Sequence, residues 1–102
     1  MITNDIEFRT DLLLRVQVAL LGMVEPSLRG VTVGWTTQSI SVILYFHGEL
    51  RAEDIEDASD IEAEIIAHFP KHEVLVVARR LDSPRRPAML QAWAYRRKEV
   101  MY

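Results

Sequence analysis

Apolar residues recur at helical spacing through the first quarter of the chain. Leu13, Val16, Leu20 and Met23 fall on one stripe, and Leu12, Leu14, Val18 and Leu21 widen it beyond a single face. Asn4 followed by Glu7 has the spacing of a capping box, and Pro26 cannot continue a helix. The pattern predicts a helix over residues 4–25. The period then changes. Val31, Val33 and Trp35 alternate with Thr32, Gly34 and Thr36, and Ile40, Val42, Leu44 and Phe46 alternate with Ser41, Ile43 and Tyr45. A repeat of two is the signature of strands. Thr37, Gln38 and Ser39 between the runs predict a hairpin, and Gly48 ends the second strand.

Helical spacing returns from Arg51 to Phe69, where Ile55, Ala58, Ile61, Ile65 and Phe69 form the apolar stripe and Pro70 stops the helix. Residues 72–81 predict a third strand. The Asp82–Pro87 segment holds two prolines and is read as a loop. Residues 89–98 alternate again as a fourth strand. The predicted order is α-β-β-α-β-β. It implies a single α+β domain over residues 1–102, a two-layer sandwich with a four-stranded, largely antiparallel sheet and both helices on one face. Parts of the other face, including Trp93, Tyr95 and Arg97, are expected to be open to solvent.

Charge changes this picture, because it is segregated. Residues 49–64 hold eight carboxylates and one arginine, a net −7; residues 71–98 hold eight Lys/Arg against Glu73 and Asp82, a net +6. The whole-chain charge of −3 conceals this division. The acidic block keeps its apolar period, so it reads as an amphipathic helix and not as a disordered tail. Its acidic stripe is Glu53, Asp57, Asp60 and Glu64. A helix face presents these oxygens diverging into water, whereas cation coordination needs them convergent. The stripe therefore reads as a solvated face or as a docking surface for a basic partner.

Other chemistry finds little support. There is no cysteine, hence no thiolate metal site or thiol nucleophile. His47, His68 and His72 show no ligand spacing, with Pro70 interrupting the only helical pair. No serine lies in a nucleophile-elbow context, and four scattered glycines make no phosphate loop. We expect no catalytic residue, no metal and no cofactor, and therefore a binding protein, not an enzyme. The N-terminal residues lack a signal-peptide pattern, and no apolar run approaches the ~20 residues of a membrane span. These features fit a cytoplasmic protein. The alternative functional surface is basic. Arg79, Arg96 and Arg97, interleaved with Trp93 and Tyr95, could bind nucleic acid by stacking bases on an exposed sheet face. The plainer reading pairs these arginines with the acidic helix and buries Trp93. A further alternative is a small adaptor whose broad first helix makes a homodimer.

Several segments also resemble a family of small bacterial proteins: L-R-G-V-T-V-G-W at 28–35, Y-F-H-G-E-L at 45–50 and E-D-I-E-D-A-S-D-I-E-A-E at 53–64. The resemblance continues with A-H-F-P at 67–70, R-L-D-S-P at 80–84 and W-A-Y-R-R-K-E at 93–99. It covers about 70% of the chain and leaves out the first helix. The group is similar to the immunity proteins encoded beside polymorphic toxins, as in contact-dependent growth inhibition systems. The resemblance implies a protein partner, a toxin and often a basic nuclease, that must be bound quickly. The acidic stripe would supply the steering.

Overall fold

A computed structural model describes residues 5–99 of the chain. Its elements run α1 (Asp5–Ala19), β1 (Leu28–Trp35), β2 (Ser39–Phe46), α2 (Ala52–His68), β3 (Glu73–Arg80) and β4 (Ala92–Arg96). The fold is α+β, with two helices and one four-stranded mixed sheet. Asn4, one half of the expected capping box, lies outside the described residues.

The first helix ends at Ala19, well short of Pro26. Gly22 takes a φ of 81°, a conformation that costs glycine little, and the chain turns there. The Met23 N–H donates to the Leu20 carbonyl at 2.9 Å inside this turn. The buried side is Leu12, Val16, Ala19 and Leu20. Leu12, expected on the outer flank, is therefore in the core, while Leu13 and Met23 pack at its margin. Leu14, Val18 and Leu21 stay exposed.

The sheet order is β3-β2-β1-β4. β1 pairs antiparallel with β2 and with β4, whereas β2 and β3 run parallel. The parallel pair follows from the connection: α2 carries the chain back to the starting end of β2 before β3 begins. One face of the sheet presents Val31 and Val33 from β1, Ile40, Val42, Leu44 and Phe46 from β2, and Val76 from β3. These residues form one buried cluster with Leu12 and Val16 of α1 and Ala58, Ile61 and Ile65 of α2.

On the opposite face, the segment from Asp82 to Gln91 covers Thr32 of β1 and Tyr45 of β2, both buried. The Leu90 N–H donates to Thr32 Oγ1 at 2.8 Å, and that hydroxyl donates to the Ala92 carbonyl at 2.8 Å. Tyr45 Oη donates to the Ala88 carbonyl at 2.9 Å. The β4 strand is consequently shorter than expected, because Leu90 and Gln91 bond to β1 as part of this covering segment. The Gln91 N–H donates to the Val33 carbonyl at 3.0 Å and the Gln91 side-chain oxygen accepts the Trp35 N–H at 2.6 Å.

Alternation along β4 is broken by a bulge. Val31 pairs with Tyr95, yet the next β1 residue, Thr32, pairs with Trp93, so Ala94 is an extra residue. Trp93 and Tyr95 share sequence parity but lie on opposite faces. Tyr95 packs against the helix-side core, and Trp93 lies beside Gly30 on the second face. A Cβ on Gly30 would sit 2.8 Å from the Trp93 ring, so the close approach of ring and backbone requires glycine there.

Candidate functional site: the acidic flank of α2

The helix α2 begins at a charge cluster that decides which of its carboxylates remain available. The Arg51 N–H donates to Asp54 Oδ2 at 2.9 Å, and the Arg51 guanidinium reaches Asp54 Oδ1 at 3.0 Å, Glu53 at 2.6 Å and Glu25. The Asp54 carboxylate, accepting from the Arg51 backbone and side chain, caps the start of the helix and puts acidic groups at the positive end of its dipole. Burial works to raise the Asp54 pKa, but hydrogen bonds from the Arg51 side chain and backbone outweigh it and hold the carboxyl below its ordinary value. The Arg51 pKa is raised, first by its hydrogen bond to Asp54 and then by that to Glu25.

Asp54 occupies the core-facing position that Ile55 was expected to fill. The inward row of α2 is Asp54, Ala58, Ile61 and Ile65, with Phe69 beyond its end, while Ile55 is 59% exposed. The expected apolar stripe is thus correct at four of its five positions and wrong at Ile55. The helix phase fixed by Ala58, Ile61 and Ile65 turns position 54 inward, and Arg51 satisfies the Asp54 carboxylate there.

The predicted stripe Glu53, Asp57, Asp60 and Glu64 lies along one flank of α2 by its spacing. Three of its members are exposed and Asp57 is half-buried. Arg51 partly neutralises Glu53. Asp57 is in a different situation. Its pKa is raised, mainly by burial and further by the negative charges of Glu25, Glu53, Asp54 and Asp60. Glu25, from the turn before β1, therefore belongs to this acidic field. Its separation in sequence concealed it, and only the fold brings it to the start of α2.

The basic residues do not form the single surface the sequence suggested. β3 and β4 are opposite edges of the sheet, so Arg79 is remote from Arg96 and Arg97. The bulge removes Tyr95 to the core side. What remains is a cleft of about 610 Å³ lined by Arg29, Arg86, Met89, Trp93, Arg96 and Arg97, among others. The Arg96 guanidinium lies 5.2 Å from the Trp93 ring centroid. Nor do these arginines pair with the acidic helix. Arg97 bonds Glu99 at 2.9 Å and the Pro26 carbonyl at 2.6 Å, and Arg80 bonds Asp82 at 3.0 Å. Glu99 and Asp82, each two residues along the chain, and Pro26 beside β1 reach these groups more readily than a helix across the core.

The sequence reading overlooked Arg29. It is 3% exposed and binds both oxygens of Glu99 at 2.8 Å, as well as the carbonyls of Leu81 and Arg85 at 2.6 and 2.7 Å. It ties the covering segment and the chain after β4 to β1. Its bond to Glu99 raises the Arg29 pKa against the opposing effect of burial. The same bond, with help from Arg97, holds Glu99 at about 2.

The histidines serve separate local contacts. His47 Nδ1 accepts the Ser83 N–H at 3.1 Å, His68 Nε2 lies 3.2 Å from Asp11 and from Arg15, and the His72 ring stacks on Phe8. Among the described residues, no group of three or more His, Cys, Asp or Glu is placed to hold a metal ion. Also among them, no helix is long and apolar enough to cross a membrane.

The model of the MafI2 immunity protein family matches residues 9–99. The chain belongs to the MafI2 immunity protein family. The match spans every element from within α1 to the end of β4, so it includes most of the helix that the earlier resemblance left out. No curated protein sequence matches the chain. For a family of immunity proteins, the surface of interest is one that can meet another protein, and the MafI2 member described here carries Asp57, Asp60 and Glu64 on a flank of α2 beside the Arg51-paired Glu25, Glu53 and Asp54.

Proposed function

We propose that this MafI2 chain neutralises a protein toxin in the cytoplasm, with the acidic flank of α2 guiding and seating a basic surface of that toxin. The observation that supports the reading is the half-buried Asp57 beside Glu25, Glu53, Asp54 and Asp60, its pKa raised first by burial and then by these neighbouring charges. Arg51 already pairs with Glu25, Glu53 and Asp54, so the charge left for a cationic partner is that of Asp57, Asp60 and Glu64. The helix also presents these charges without having to order them on binding, because α2 is anchored by Ala58, Ile61 and Ile65 in the core. Neutralisation by occupancy needs no catalytic group. Complementary fields raise association rates by orders of magnitude over neutral surfaces, which suits a protein that must act before its toxin does.

The test is protection on co-expression with the toxin encoded beside it. The wild-type chain protects cells, and a chain with Asp57→Lys and Asp60→Lys protects poorly despite folding normally. Full protection by the doubly reversed chain would rule out the acidic flank.

One observation favours a second reading. The cleft around Trp93, with Arg86 and Arg96 at its wall, has the basic and aromatic character of a single-stranded nucleic-acid site. Under that reading Arg96→Ala abolishes binding to an oligonucleotide and the α2 substitutions leave it intact.

A further inference from the structure

The β3 strand lies at the edge of the sheet and offers an open row of backbone groups. The Glu73 N–H donates to the Gln38 carbonyl and the Leu81 N–H to the Phe46 carbonyl, both toward β2. With a repeat of two, the odd-numbered residues of β3 face β2, and Val74, Val76, Ala78 and Arg80 direct their N–H and C=O groups outward. The Val76 N–H meets the Glu62 carboxylate at 3.2 Å, so a side chain from α2 occupies the place of a partner carbonyl. Beside this edge, a groove of about 330 Å³ runs between α2 and β3, lined by Ile55, Ser59, Glu62, Val76 and Ala78 among others. Ile66 extends the row of Ile55, Ser59 and Glu62 by helical spacing. Ile55 and Ile66 on the helix, and Leu75 on the strand at 58%, are all exposed.

These features are self-complementary. We propose that β3 pairs with β3 of a second copy of this chain, antiparallel about a two-fold axis at Val76. This joins the two sheets into one of eight strands. The outward residues Val74 and Ala78 then oppose Ala78 and Val74 of the second copy, and Val76 opposes its equivalent. On the second face of the sheet, Leu75 lies opposite Val77 and Glu73 opposite Arg79. Shifting the register by two residues loses the Glu73–Arg79 pairing, so charge selects this alignment. The flanking helices obey the same symmetry: antiparallel α2 helices place Ile55 against Ile66 and Ser59 against Glu62. An isologous contact requires this reciprocity, and it covers all three exposed apolar side chains.

Glu62 acts in this arrangement as a guard on the edge. Its carboxylate satisfies Val76 in the single chain and moves aside when a strand arrives, which tempers the tendency of an open edge to recruit other chains. The acidic flank carrying Asp57 and Asp60 is on the far side of α2 from this groove, since the two rows are separated by roughly half a turn at 100° per residue. The pairing therefore stands independently of the toxin reading and leaves that surface free. The exposed row Leu14, Val18 and Leu21 on α1 is the competing place for a second copy, but it carries no open backbone edge and no reciprocal charge pair.

The experiment is sedimentation equilibrium of the full chain and its variants, with circular dichroism to verify folding. The wild-type chain forms a concentration-dependent dimer. Arg79→Glu places like charges opposite each other at two symmetric positions and weakens the dimer by about tenfold or more. Glu73→Arg does the same, and the double exchange of both residues restores wild-type affinity. The two residues are six apart on one strand, so restoration arises only across an antiparallel dimer. Glu62→Ala tightens the dimer, and Ile66→Glu weakens it should either strand variant fail to fold. A chain that is monomeric throughout, a dimer unchanged by these substitutions, or a folded double exchange that does not restore affinity would each overturn the proposal.

Discussion

Arg29 of β1 grips the Glu99 carboxylate with two hydrogen bonds of 2.8 Å from a nearly fully buried position, joining the centre of the sheet to the chain beyond β4. Two further bonds to the Leu81 and Arg85 carbonyls hold the start of the segment that covers the second sheet face. Removing one partner of a buried charge pair leaves the other without compensation. Arg29→Met should therefore destabilise the protein by about 3 kcal/mol or more. Hydrogen exchange in residues 81–91 should rise more than in α2. Unchanged protection of that segment would show that Arg29 does not secure it.

The same pair sets a pH dependence. Glu99 is held at about 2, below its ordinary 4.5, so the ionised form is favoured by folding. Its stabilisation is complete above 4.5 and is lost as pH falls from 4.5 toward 2. Glu99→Gln should flatten the stability profile in that window while lowering stability at pH 7. Chemical denaturation at several pH values measures both effects, and a wild-type slope persisting in the variant would assign the dependence to other carboxylates such as Asp82.

Asp57 predicts the opposite sign. Its folded pKa is raised, chiefly by burial and then by neighbouring carboxylates, so the folded state resists its ionisation. Protonation stabilises the fold as pH falls through that raised value, and stability is lost as pH rises through it. Asp57→Asn should stabilise the free protein at pH 7 by up to about 0.5 kcal/mol and bind toxin more slowly. A variant that is less stable at pH 7 would mean that Asp57 makes a favourable contact in the single chain.

Gly30 gives a prediction about packing. Gly30→Ala forces the Trp93 ring from a 2.8 Å approach and should cost about 1–3 kcal/mol, with a changed near-ultraviolet dichroism from the tryptophan. Retention of both the melting temperature and that signal would mean that the ring moves freely.

Much of this architecture was legible in the chain. A repeat of two at Val31–Trp35 and Ile40–Phe46, and the return of helical spacing at Ala58, Ile61 and Ile65, reflect which side of each element must leave water. Positions governed by polar bonding were not legible. Asp54 faces inward and Ile55 outward because position 54 falls in the row of Ala58, Ile61 and Ile65, where an arginine at the helix start satisfies the aspartate. The ends of α1 and β4 moved because Gly22 turns the chain early and because Leu90 and Gln91 bond to β1. The bulge at Ala94 reversed the parity of β4, which separated Trp93 from Tyr95. A pattern of residue types carries no mark of one inserted residue in a ladder. Within the candidate site, Glu53, Asp57, Asp60 and Glu64 were apparent from spacing alone, whereas Glu25 joins them only through the tertiary fold. Arg29 resembles any strand arginine until its partner 70 residues later is in place.

The central claim is that charge on the acidic flank of α2 guides this MafI2 protein to its toxin. The most direct measurement is the association rate constant with that toxin across a range of ionic strength, for the wild-type chain and for the chain carrying Asp57→Lys and Asp60→Lys. Steered association slows as salt screens the surface field. The wild-type rate should fall steeply with salt, and the reversed chain should associate at least about tenfold more slowly at low salt with a much flatter dependence. Equal rates for the two chains, with equal slopes against salt, would contradict the account.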